Sequence, residues 1–141
     1  MRNLDRLQPL GLLVLRVLLG IIMIAHGYTK LTPAGFHQHA NFVAHLGMPW
    51  WFAFFSTAAE NLGGALLILG LFTRFAALAI CAELIVIIAK VHWKNGLLAE
   101  HGYQFPLALA AIAFALIFLG AGAISLDDLR GTGRGAVRHK N

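Results

Sequence analysis

Arg16, Glu60, Glu83 and Lys90 interrupt stretches that are otherwise almost wholly apolar, and His26, Lys30 and His92 stand near the ends of the same stretches. An ionisable group inside a long apolar segment is costly and usually faces a partner or a wet cavity. Histidine exchanges protons near neutral pH, and a carboxylate in a low dielectric keeps its charge only where a cation holds it. Stacked in a column, these residues would pass protons or bind a polar headgroup. The plainer alternative is a buried ion pair that fixes helix register, with the histidines marking an interface.

Helical spacing decides which of these groups share a face. Arg16, Gly20, Met23, Gly27 and Lys30 form one stripe, and its glycines permit close approach of a neighbouring helix. Ala53, Ser56, Thr57, Glu60, Gly63, Gly64 and Leu67 form a second small and polar stripe, so the two faces are expected to meet or to line one cavity. Counting about 1.5 Å per residue brings Glu60 and Glu83 near the middle of their segments and Arg16 within reach of them. The expected pair is Arg16 with Glu60, with Glu83 as the competitor. Glu83 and Lys90 are seven apart and should share a face turned inward.

The elements that carry these residues are membrane helices. Of 141 residues, 59% are hydrophobic and 12% charged, against about 25% charged in soluble domains, and the mean hydropathy is +0.74. Four apolar stretches, near residues 10–31, 50–71, 75–91 and 105–126, approach the roughly 20 residues that a spanning helix needs. The first has no small-x-small cleavage site after it and is too long for a signal peptide, so it is expected to remain in place. The fold expected is all-α, a four-transmembrane-helix bundle with a short interfacial helix between helices one and two. The fourth stretch carries no charge and reads as scaffold.

Charge sets the expected orientation. Arg2, Arg6, Arg74, Arg130, Arg134, Arg138 and Lys140 fall on one side if four helices alternate, which predicts cytoplasmic N- and C-termini. The net charge of +5 then reflects topology, and no nucleic acid partner is needed to explain it. Trp50, Trp51, Trp93, Tyr28 and Tyr103 fall at the opposite interface, where amphipathic rings settle. So do His37, His39, His45 and His101, which read as incidental loop residues; two histidines spaced as His37-x-His39 do not make a metal site. Phe36, Ala40, Val43 and Gly47 recur at helical spacing between Pro33 and Pro49, as in a helix lying on the membrane and capping the bundle. Cys81 has no partner for a disulfide or a C-x-x-C motif, and no haem or iron–sulfur motif is present, so the chain itself encodes no cofactor site of that kind.

The segments "LRVLLGIIMIAHGYTKL", "AENLGGALLILGLFTR", "VHWKNGLLAEHGYQFPL" and "LGAGAISLDDL", in this order across residues 12–129, resemble the DoxX family of small four-helix membrane proteins. The resemblance implies a bundle over residues 1–129 followed by a basic tail, 130–141, in a bacterial inner membrane. It also brings forward Arg16, His26, Gly27, Lys30, Glu60, Gly64, His92, Ser125 and Asp127. Some relatives are subunits of quinone-linked oxidase systems and others are linked to oxidative-stress complexes. The resemblance therefore implies a lipid bilayer, a lipophilic quinone-like ligand and an oxidoreductase partner subunit. Candidate ligand or proton-exchange residues are Arg16, His26, Lys30, Glu60, Glu83, Lys90 and His92, with Gly20, Gly27, Gly63 and Gly64 as packing positions. A non-catalytic scaffold and a small proton or solute pathway are the alternatives. Ser125 and Asp127 read as the end of helix four.

Overall fold

The computed structural model describes residues 5–135. Arg2, Arg138 and Lys140 of the basic ends, and the last part of the tail, lie outside the described residues. Among the described residues every regular element is helical. α1 is Gln8–Gly27, continued by a 3₁₀ turn at Tyr28–Leu31. α2 is Pro33–His45, α3 Trp51–Leu69, α4 Thr73–Asn95, α5 Gln104–Leu119 and α6 Leu126–Gly135. Three helices, Asp5–Leu31 with its 3₁₀ ends, α3 and α4, are long and apolar enough to span a bilayer, and α5 is a shorter apolar helix of 16 residues. The outward surface is apolar too: Phe75 is 73% exposed and Phe118 64%, as befits side chains that meet lipid.

α1 packs on α3 and α4 on α5, while α1 and α5 close the ring along the thinnest seam. The core between them is built from Leu19, Met23, Leu67, Ile80, Leu109 and Leu116. At the centre of the α1–α3 contact, a Cβ on Gly20 would stand 2.5 Å from the Gly64 carbonyl oxygen. Only glycine lets the backbones come so close.

Two helices widen into π-helical turns, Ala59–Gly63 in α3 and Ile88–His92 in α4. Such turns occur mostly as single bulges and often at functional sites. Glu60 lies on the first, Lys90 and His92 on the second. The second turn also overturns the expected Glu83–Lys90 face. Glu83 is fully buried, whereas Lys90 is exposed, because the wider turn rotates it away from the face that an unbroken helix would keep.

α2 is capped by Thr32, whose Oγ1 accepts the Gly35 N–H at 3.1 Å. It lays Phe36, Ala40 and buried Val43 against Phe52 and Ala53 of α3. The helix stops at His45, short of Pro49, because Gly47 turns into the left-handed region at φ 70°; Gly47 is therefore off the packed face. α5, the fourth apolar stretch, is also shorter than expected. It ends at Leu119 and not near 126, since Gly120 and Gly122 take φ 74° and 78° and turn the chain back before α6.

Candidate functional site

Ionisable residues gather at two ends of the bundle. At the end that carries α6, Arg16 is 1% exposed. Its Nη1 donates to the Ala121 carbonyl, and its Nη2 to the Ile124 carbonyl at 2.8 Å. The expected Arg16–Glu60 pair is therefore not formed, and Glu83 is not its partner either. The loop released by Gly120 and Gly122 offers bare carbonyls that satisfy the guanidinium first. Gly70 lies against this contact, where a Cβ would be 2.7 Å from Arg16 Cζ and 2.6 Å from Ser125 Cβ. Asp127 accepts the Phe72 N–H at 2.8 Å and the Thr73 N–H at 2.9 Å, capping α4. Burial works to raise the Asp127 pKa, but the bonds from Thr73 and Phe72, with Arg130 nearby, outweigh it and hold the carboxyl below its ordinary value. Ser125 Oγ caps α6 through the Asp128 N–H at 3.1 Å. A cleft of about 520 Å³ opens here, yet Ser125 and Asp127 on its wall are spent on backbone.

The other end is arranged differently. The 3₁₀ turn after α1 swings Lys30 over α3, where its Nζ meets Glu60 Oε2 at 2.5 Å. Gly27 makes this approach possible, because a Cβ there would stand 2.6 Å from both Glu60 Cβ and Asn61 Nδ2. Asn61 locks the contact by donating to the Gly27 and Thr57 carbonyls at 2.9 and 3.0 Å. Beside this pair lies Glu83, fully buried, with neither oxygen receiving a hydrogen bond. The charged groups that act on it are Glu60 and Lys30. One cation thus serves two carboxyl groups.

Three histidines complete the cluster. His26 Nδ1–H donates to the Ile22 carbonyl at 2.8 Å, and His92 Nδ1–H to that of His101 at 2.9 Å, which leaves Nε2 of each neutral ring as an acceptor. The His26 ring stacks on Phe105 of α5 at 6.2 Å. His39 on α2 is 2.5 Å from Ser56 Oγ through its Nε2, and burial, with the nearby Lys30 charge, pushes its pKa down to about 4.

Two cavities meet at these residues. One, of about 270 Å³, is lined by His26, Glu60, His92 and Glu100 with Phe105 and Leu109. The other, of about 340 Å³, lies under α2 and is lined by Lys30, His39, Ser56 and Glu60. His26, Glu60, Ile87 and His92 belong to both. The structure thus brings together His26, Lys30, Glu60, Glu83 and His92, and leaves Arg16 at the far end and Lys90 on the surface. Sequence reasoning missed His39, which sits one position before Ala40 on the packed face of α2, and α5, which is a cavity wall and not only scaffold. Among the described residues no cluster of three metal-ligating side chains is present.

The DoxX family model matches residues 11–93, more than half of the chain. The chain belongs to the DoxX family. It is 32% identical over 84% of its length, and 85% of the relative's, to a Bacillus subtilis (strain 168) protein named "Putative oxidoreductase CatD". An uncharacterized protein of Haemophilus influenzae is 31% identical over 91% of this chain and 96% of its own. No solved structure matches this DoxX protein. The match covers α1 to α4 and includes His26, Glu60 and His92, which line both cavities.

Proposed function

We propose that this DoxX protein holds a lipophilic, quinone-like ring in the cavity bounded by His26, Glu60, His92 and Phe105, as the ligand-binding subunit of a membrane oxidoreductase system. The observation that carries the reading is the shared wall of the two cavities, where acid, base and cation converge beside an apolar and aromatic lining. A ring would lie against Phe105 and Leu109, with its oxygens toward the histidines and Glu60. A quinone supplies two-electron, two-proton chemistry when bound. This chain's part is to bind and orient the ring, and to hold or give up protons at His26 Nε2, His92 Nε2 and the Glu60–Glu83 pair. Lys30 holds Glu60 in place. Electrons come from a partner subunit; the oxidoreductase role is in keeping with the name of the Bacillus relative. The positive side of the bundle, with both termini, faces the cytoplasm of a bacterial inner membrane in this reading.

The test is mass spectrometry of lipophilic molecules that copurify with the full chain in mild detergent. Wild type should retain a quinone, and His26→Ala and His92→Ala at equal folded yield should lose it. Absence of any specific ligand from wild type would refute the reading and leave a scaffold role.

A further inference from the structure

The cavity against Phe105 is rich in hydrogen-bond acceptors and poor in donors. His26 and His92 have each committed the Nδ1–H to a backbone carbonyl, so each offers Nε2 as an acceptor. Glu60 and Glu100 add carboxylate oxygens. Few donors face them: Lys30, whose Nζ bonds Glu60 Oε2 at 2.5 Å, lines the neighbouring cavity and not this one, the Gly102 N–H bonds the Ala99 carbonyl at 2.8 Å, and His101 brings one ring N–H. Behind Glu60, outside the cavity lining, Glu83 adds a second buried carboxyl group. Even one proton shared between Glu60 and Glu83 leaves acceptors in excess. A wall of acceptors gains most from a partner that donates, so the ligand that suits the cavity is one that brings its own O–H groups.

Resting on the function proposed above, we infer that the site selects the reduced, dihydroxy form of a quinone-like ring over the oxidised form. The two forms share size and apolar surface and differ at their oxygens. The dihydroxy ring donates through both oxygens, to His26 or His92 Nε2 and to Glu60. The quinone presents only acceptors to a wall of acceptors. One hydrogen bond to a charged group sets the scale of the preference at about tenfold. By linkage, each tenfold in favour of the reduced form raises the two-electron potential of the bound couple by about 30 mV.

The experiment is anaerobic equilibrium dialysis of the detergent-purified full chain against three probes: a single-isoprenoid benzoquinone, the same compound reduced, and the reduced ring with both oxygens methylated. The reduced form should bind about tenfold or more tightly, and the dimethyl ether should bind as weakly as the quinone. Glu60→Gln, which removes the charged acceptor, should weaken binding of the reduced form most and so narrow the gap. Equal or tighter binding of the quinone, or tight binding of the ether, overturns the inference while the ring-binding reading stands. If no probe binds, the reading itself falls and the inference with it.

Discussion

The two ends of the bundle bury charge in opposite ways. At the α6 end, Arg16 spends two nitrogens on the carbonyls of one loop and Asp127 spends two oxygens on the amides of one turn. At the α2 end, Glu83 has no hydrogen-bond donor and the two histidines each hold a nitrogen in reserve. Arg16 Nε, like the Glu83 oxygens, has no partner, but every bond that Arg16 makes runs to backbone, as befits an architectural group. A buried carboxyl group with no donor of its own, beside a cavity, suits a ligand. Disrupting each end should therefore show in different measurements.

The largest stability effect belongs to Arg16→Met, which strands the Ala121 and Ile124 carbonyls. Two hydrogen bonds to a charged group are worth about 3 kcal/mol or more, so thermal unfolding in detergent should drop furthest for this variant, with Arg16→Lys falling between it and wild type. Gly20→Ala comes next. Its Cβ would press on the Gly64 backbone oxygen, and overpacking of this kind costs about 1–3 kcal/mol. Gly11→Ala, whose Cβ would meet nothing within 4 Å, is the control that should leave unfolding unchanged.

Asp127→Ala should cost about 1 kcal/mol, the worth of a helix cap. The same residue gives a pH signature. Its carboxyl is held below the ordinary value, so its stabilisation is complete at neutral pH and is lost as pH falls below about 4; the variant should lose that dependence. The effect at His39 is the smallest at neutral pH and grows only in acid. A ring whose pKa falls to about 4 on folding is neutral in the folded chain while the unfolded chain takes up protons from about 6.5 downward. Stability should decline as pH falls from about 6.5 to 4, and His39→Gln should flatten that decline.

The sequence made some of this legible and hid the rest for physical reasons. Long apolar stretches are read directly from composition, so the membrane helices were plain. The two stripes that carry Gly20 and Gly27, and Gly63 and Gly64, were visible as spacing, and in the structure Gly20 meets Gly64 while Gly27 meets Glu60. The partner of Arg16 was not readable, because backbone carbonyls belong to every residue and no side-chain pairing rule points to them. The π turns at Glu60 and His92 follow from tertiary fit and carry no residue code, which is why Lys90 was placed on the wrong face. The end of α5 at Gly120 lay in "LGAGA", a run apolar enough to pass as helix yet able to take positive φ at two glycines. His39 entered the site because one amphipathic helix turns an unremarkable residue toward a cavity.

The most direct test measures unfolding temperature and copurified quinone in the same preparations of wild type, Arg16→Met and Glu60→Gln. Lys30, left alone by Glu60→Gln, is 17% exposed and can extend to the interface, so that variant should stay close to wild type in stability and lose the ligand. Arg16→Met should lose stability and, in its folded fraction, keep the ligand. The opposite pattern, with Glu60→Gln as unstable as Arg16→Met and its bound quinone unchanged, would contradict the division of the molecule into an architectural end and a ligand end.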